Sequence, residues 1–418
     1  MAGFVAKRVR FQNGERTSVL LRPDGVPVHE VVLFLARYRR IGRAANTLHL
    51  ICGALGVLYR ALASADVDLL GRLREGAFLT RPELERVATA CQFRADEPES
   101  AEPTKAGNVI NLRTVHPRLK SKPTDVAPLD PDTQGTRIRY IASFLLFIAD
   151  YVATELGDAK GDRLRLAAKR QIDAFKAGAP RNGGRAKVGT RQGLAQDEED
   201  RLVAAVRPGS PTNPWARGYT QERNFLIVVH LLALGLRRGE LLGLRINDIG
   251  QSDATVKVLR RADVADDPRR HQPNAKTNDR VVELHPSIAR CLMSYINGSR
   301  RQIQAARKHP YIFVAQDGSP LSMASIDKIF RDIRSVCPGL SVRLTSHVMR
   351  HTWNDRFSEE ADKLGLSETT EARARNAQQG WSDNSRSSSV YTRRHAAKVG
   401  RRVSIAHQEK LSESLGEK

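Results

Sequence analysis

S-H-V-M-R-H-T-W, Ser346 to Trp353, and G-W-S-D-N-S-R-S-S-S-V-Y-T-R-R-H, Gly380 to His395, hold the residues around which the chain is organised. Thr345 or Ser346 can cap a helix, and the pattern that follows predicts one over 347–361. On such a helix His347 and Arg350 are three residues apart and share a face. That face offers an imidazole that can take either tautomer and a permanently charged fork of donors. Both suit an anionic oxygen array such as a phosphodiester. Tyr391 follows in a serine-rich stretch between basic flanks, where a phenol could reach the same phosphate. The plainer reading of the helix alone is a solvated His–Arg pair.

A second stretch changes the balance. L-A-L-G-L-R-R-G-E-L-L-G-L-R-I-N-D-I, Leu232 to Ile249, places Arg237 and Glu240 just beyond an apolar helix. Together these segments resemble the tyrosine recombinases, the phage-integrase family of site-specific DNA recombinases. The family's G-L-R-x-x-E turn matches Arg237 and Glu240. Its H-x-x-R-H box matches His347, Arg350 and His351. Its Gly-His or Gly-Trp pair ahead of the nucleophilic tyrosine matches Gly380-Trp381 and Tyr391. The resemblance covers roughly 190–395, with the boxes in the family's order. It implies a mainly α-helical fold with a small antiparallel β-hairpin. A helical core-binding domain and a catalytic domain would together form a clamp around DNA.

Composition agrees with this and decides less. The 418 residues allow two or three domains with real cores. A formal net charge of +22 predicts affinity for polyanions. Ribosomal and membrane-surface proteins share that signature. No apolar run is long enough to predict a membrane span, and the N-terminus lacks the apolar core of a secretory signal. Cys52, Cys91, Cys291 and Cys337 are scattered, which fits a reducing cytoplasm better than disulfides or zinc. A bacterial, nucleoid-associated location is expected.

In chain order, residues 1–27 read as a basic arm with a turn or small hairpin. Residues 28–180 read as the helical DNA-gripping domain, with helices over 27–40, 46–62, 80–91, 137–156 and 162–176. An acidic, proline-containing insertion interrupts it at about 93–135. Arg37, Arg39, Arg40 and Arg43 are candidate phosphate contacts, a solvated basic turn being the alternative. The Gly-rich basic stretch 181–193, with Arg181, Arg185 and Lys187, reads as a linker that can also lie along a phosphate backbone. The catalytic domain is expected over 194–395 and a tail over 396–418.

Within that domain a buried helix over 222–234 should end at Gly235 and present Arg237 at a fixed turn. Glu240 is expected to orient Arg237, a plain salt bridge being the equal alternative. Strands over 254–259 and 281–284 should flank a polar connection, with a basic helix following over 286–306 and another over 325–336. The resemblance implies a catalytic lysine on this hairpin and matches it to Lys276, with Lys257 nearby. His351 is expected to be structural.

Arg237 and Arg350 can each fork onto non-bridging phosphate oxygens, where charge builds in the transition state. The Trp381 indole can add a third donor, a core aromatic being the alternative. The resemblance implies attack by Tyr391, proton acceptance or phosphate contact by His347 and protonation of the leaving 5′ oxygen by Lys276. No metal or other cofactor is expected. Double-stranded DNA is the expected partner, bound by a homotetramer joined through the C-terminal tail, with or without partner recombinases; a basic tail that touches DNA is the equal alternative for that segment. The expected function is that of a mobile element's integrase or transposase. The alternatives are a catalytically silent DNA-binding relative and a type IB topoisomerase-like enzyme. Two departures stand out: both the Arg350–Tyr391 and the Trp381–Tyr391 intervals exceed the family's usual lengths.

Overall fold

Leucine, isoleucine, valine and phenylalanine side chains build two separate cores, and the chain divides accordingly into units spanning 1–187 and 188–418. The computed structural model describes residues 3–93, 128–180, 193–250, 252–269, 271–275, 277–337, 339–340, 344–383, 385, 391, 400–401 and 403–409. The described part is mainly helical, with two small antiparallel sheets.

The first unit opens with β1 (Val5–Arg10) and β2 (Arg16–Leu21), paired from Val5 with Leu21 to Arg10 with Arg16. Residues expected as an arm are therefore largely a hairpin. Leu20 is fully buried in the helical core, and Arg60 donates to the Phe4 carbonyl at 2.5 Å. Ser18 and Leu20 of β2 are buried while Val19 and Leu21 are half-buried, because successive side chains of a strand point to opposite faces and one face enters the core.

Four helices follow: α1 (His29–Arg40), α2 (Ala45–Ala63), α3 (Leu69–Arg74) and α4 (Arg81–Ala90). The T-x-x-E signal opens α4 as read, the Glu83 carboxylate accepting the Thr80 backbone N–H at 2.7 Å. Helix α2 is long and apolar enough by composition to cross a membrane, but Ile51, Leu55 and Leu58 are fully buried within the unit.

Helices α5 (Pro131–Ala153) and α6 (Asp158–Ala177) complete the unit. Helix α5 starts six residues before the expected Arg137. Asp130 accepts from the Asp132 and Thr133 N–H groups, and Pro131 takes the first helical position, where it needs no donor. The core of the expected insertion, 94–127, lies outside the described residues. So do Arg181, Arg185 and Lys187.

The second unit is built on α8 (Gly218–Leu234), preceded by α7 (Gln196–Val206). Leu226, Ile227, Val228 and Leu231 of α8 are buried, and each such side chain stabilises by about 1.5–3 kcal/mol relative to exposure. A short α9 (Arg238–Gly243) leads to β3 (Thr255–Val258) and β4 (Arg280–Glu283), paired antiparallel with Val256 opposite Val282. Helix α10 (Pro286–Tyr295) is shorter than the basic helix expected over 286–306. A π-type turn follows, and Gly298 leaves helical geometry there. The segment 311–314 forms only isolated bridges, Tyr311 with Arg245 and Val314 with Pro320. Helices α11 (Met323–Val336), α12 (Ser346–Lys363) and α13 (Glu368–Gln379) finish the unit. Helix α13 was not anticipated. Of the tail, residues 403–409 are helical and exposed.

Candidate active site

The site begins where α8 stops. Gly235 takes a left-handed conformation, φ 59°, ending the helix and turning its carbonyl inward. Arg350, carried by α12, donates from Nη1 to that carbonyl at 2.6 Å. A Cβ at position 235 would lie 2.8 Å from Trp353, so glycine is needed for space as well as backbone. Trp353 in turn donates from Nε1 to Ala233 at 3.0 Å, pinning α12 across the end of α8.

Arg237 follows as the residue before α9. Glu240 accepts its backbone N–H at 3.1 Å and its Nη1 at 3.1 Å, so one carboxylate caps the helix and orients the guanidinium. Glu240 does more than the sequence suggested. Its side chain is fully buried, and it also accepts from Arg280 Nη2 at 2.9 Å and Thr277 Oγ1 at 2.7 Å. Arg350 Nη1 lies 3.9 Å from it. Burial works to raise the Glu240 pKa, but Arg280 and Arg350 outweigh it and hold the carboxyl below its ordinary range.

Arg280 is the residue that motif reading missed. It opens β4, and alternation puts Arg280 and Val282 on the buried face while Val281 and Glu283 face outward. A basic residue in phase with a core valine was the available signal. Lys276 lies outside the described residues. Its sequence neighbour Thr277 is bonded to Glu240, so the hairpin connection passes the same carboxylate that orients Arg237.

On α12, His347 is exposed and His351 half-buried, with ring centroids 4.5 Å apart and edge-on. Arg350 is 2 % exposed. Burial first and Arg237 next push its guanidinium down to about 9, Glu240 opposing, so it stays charged at neutral pH. Its Nη2 is buried and has no hydrogen-bond partner among the described residues. The Trp381 indole Nε1 is in the same condition. The two groups are adjacent, Arg350 Cζ lying 5.1 Å from the Trp381 ring centroid. Two buried donors without acceptors cost about 1–3 kcal/mol each, which a bound anion would recover.

Tyr391 is 7 % exposed and lies against this group. Its ring stacks on Trp381 at 5.9 Å with 11° between planes, and sits 5.5 Å from His351. The extra length between Arg350 and Tyr391 is taken up by regular helix, α12 running to Lys363 and α13 starting at Glu368. Gly380 ends α13 at φ 62° and accepts from the Asn278 N–H at 2.9 Å, which joins the hairpin to the Trp381 turn. Arg237, Glu240, His347, Arg350, His351, Trp381 and Tyr391 thus form one linked set.

Residues 192–367 match the phage integrase family. That segment is a phage integrase domain, the domain of the tyrosine recombinases. Over 152 residues the chain is 25 % identical to tyrosine recombinase XerD of Halalkalibacterium halodurans, covering 36 % of this chain and 46 % of that protein. The match therefore spans about half of the curated relative. Among solved structures it is similar to XerA recombinase, with 18 % identity and a TM-score of 0.35 over 87 % of this chain and 91 % of that one. It is also similar to the Tn1549 transposon integrase in complex with a circular intermediate DNA. That likeness has 14 % identity and a TM-score of 0.46 over 90 % of this chain and 99 % of that one.

The exposed arginines of the first unit are arranged differently. Arg37, Arg39, Arg40 and Arg43 cluster at and beyond the end of α1. Arg39 donates from Nε to Glu15 at 2.7 Å, and Arg37 lies 5.0 Å from the Phe147 ring centroid.

Proposed function

We propose that this chain is a site-specific DNA recombinase, the integrase or transposase of a mobile element. It cuts and rejoins duplex DNA through a 3′-phosphotyrosyl intermediate. The observation that carries this reading is the pair of buried donors, Arg350 Nη2 and Trp381 Nε1, beside the ring of Tyr391. Such donors fit the non-bridging oxygens of a phosphodiester, where negative charge grows as the phosphorus becomes five-coordinate.

In this mechanism Arg237 and Arg350 neutralise the phosphate and Trp381 adds a neutral donor. The Tyr391 oxygen attacks phosphorus, and its proton passes to His347. The bond from phosphorus to the 5′ oxygen breaks as the bond to Tyr391 forms, and Lys276 protonates the departing oxygen. The phosphotyrosyl bond keeps the energy of the cleaved linkage, so a 5′ hydroxyl from another strand can reverse the step. Two such exchanges on paired sites would pass through a Holliday junction. Glu240 is a positioning residue, holding Arg237 from below while Thr277 ties the Lys276 connection to the same carboxylate. A homotetramer on DNA, linked through the tail, would supply four copies of the site.

The test uses a nicked suicide substrate carrying the element's end sequence, with wild type and Tyr391→Phe in parallel. A covalent adduct in wild type alone is expected. An adduct in both would move the nucleophile elsewhere. Tight binding without any adduct would leave a DNA-binding relative instead.

A further inference from the structure

Behind the nucleophile sits a charged group that the mechanism above does not use. Arg375, on α13, is fully buried, with its Cζ 6.0 Å from the Tyr391 ring centroid. Its Nη2 donates to Glu371 one turn earlier on the same helix, and to Ser358 Oγ on α12 at 2.6 Å. Ser358 Oγ itself donates to Glu371 at 2.8 Å, closing a buried triad. Phe357 covers the guanidinium from another side, its ring centroid 5.2 Å from Cζ.

A buried ion pair is a poor device for stability. Well-packed apolar residues in its place are often neutral or stabilising, because two ions must be taken out of water. Leucine or methionine at 375 would close the same gap between α12 and α13 without that cost. What an apolar residue cannot supply is positive potential at the phenol.

We propose that Arg375 is a positioning residue for the nucleophile: it holds the Tyr391 ring against His351 and Trp381 and favours its phenolate, with Glu371 and Ser358 fixing the guanidinium. This rests on the reading of Tyr391 as the nucleophile and adds a source of its activation. Burial lowers the Arg375 pKa, while the charges of Glu371, Tyr391 and Asp355 work the other way. Attraction between the guanidinium and an ionised Tyr391 is thus part of the site's electrostatics. The titratable and charged groups facing the phenol, among the described residues, come from two helices. Helix α12 supplies Arg350 and His351, with His347 and Asp355 behind them, and α13 supplies Arg375 with Glu371. Glu371 offsets part of the Arg375 charge, so the triad fixes how much positive potential reaches the ring.

The test reads the phenol directly. A fluorotyrosine is placed at position 391 of the full chain, and its fluorine resonance is followed against pH without DNA. Arg375→Met should raise the midpoint by about one pH unit, and Arg375→Lys should hold it near wild type. Glu371→Gln, which removes the compensating charge, should lower it. A role in packing alone moves the midpoint equally in all three variants or not at all, and either result overturns the proposal. Should Arg375→Met fail to fold, the opposite responses expected of Arg375→Lys and Glu371→Gln still decide the matter. On the suicide substrate, Arg375→Met should form adduct about ten-fold more slowly near neutral pH and recover as pH rises. Absence of adduct in wild type would sink the recombinase reading while leaving the fluorine titration to decide on Arg375.

Discussion

The end of α1 and the surroundings of Tyr391 use arginine in opposite ways. At the end of α1, Arg37, Arg39, Arg40 and Arg43 keep their charges at the surface. Around Tyr391, Arg350 and Arg375 are 2 % and 0 % exposed, and Arg280 is 9 % exposed. A surface guanidinium is cheap to hold and strongly screened, which suits sequence-independent attraction to a phosphate backbone. A buried one costs several kcal/mol of lost hydration, and acts at full strength on charge that develops beside it. On the proposed function, the contrast separates holding DNA from reacting with it. It also predicts that the same change, arginine to alanine, will have very different effects in the two places.

The largest effect should come from Arg350→Ala. That change removes the buried charge and the Nη2 donor beside Trp381, and adduct formation should fall by about 10²–10³-fold or more, as for loss of a transition-state donor elsewhere. Affinity for duplex DNA should change far less, since a single phosphate contact among many is lost. A loss of binding as large as the loss of rate would break the division between the two kinds of arginine.

Glu240→Gln comes next and is first a stability effect. The carboxylate compensates Arg280 and Arg350 in the interior, and removing its charge should destabilise the second unit by about 3–5 kcal/mol. The sign of the pH dependence follows from the direction of its shift. Glu240 titrates below its unfolded value, so its contribution is complete above the unfolded pKa and is lost as pH falls through the folded one. Thermal melts of wild type and Glu240→Gln should therefore differ at pH 7 and converge in strong acid. A gap that widened in acid would mean that Glu240 is not the compensating charge.

What the sequence revealed follows the same line between local and non-local causes. Helix α12 was legible because its cap and periodicity lie within the segment, and Gly235 because a glycine after an apolar helix has one common use. Arg237, Arg350 and Tyr391 were legible through motif resemblance, although nothing local says that they meet. Arg280, Arg375 and the shared role of Glu240 were not found. Each depends on a partner far along the chain, Ser358 for Arg375 and Glu240 for Arg280, or on which face of an element is covered. The hairpin at 5–21 was half seen: its turn residues were visible, but the burial of Leu20 depends on α2. Helix α13 was read only as excess spacing because its sequence is mostly polar, with a buried side formed by Glu371, Arg375, Asn376 and Gln379. Amphipathic patterning cannot signal a helix whose covered side is charged.

Gly235→Ala sharpens the comparison from the backbone side. The substitution places a Cβ against Trp353 and Gln379 in a left-handed residue, at a cost of about 1–2 kcal/mol for the conformation alone. Because Gly235 is also the carbonyl that anchors Arg350, adduct formation should fall by more than the melting temperature implies. Loss of stability with an unchanged rate in the folded fraction would show that Arg350 needs no such anchor.

Arg40→Ala combined with Arg43→Ala should give the smallest effect, visible mainly in salt dependence. Arg39 is tied to Glu15 and Arg37 lies over Phe147, which leaves Arg40 and Arg43 as the better probes of the exposed cluster. If each neutralises one phosphate, the slope of log affinity against log salt should become shallower by about 0.9 per residue removed. Melting temperature and the rate of adduct formation at saturating DNA should stay as in wild type, since neither residue helps form the buried core or the site. An unchanged slope would place the DNA-holding charge elsewhere, and the basic stretch with Arg181, Arg185 and Lys187 would be the next to neutralise. A fall in the saturated rate would be more disruptive, because surface charge would then reach the chemistry and the division between the two arginine sets would fail.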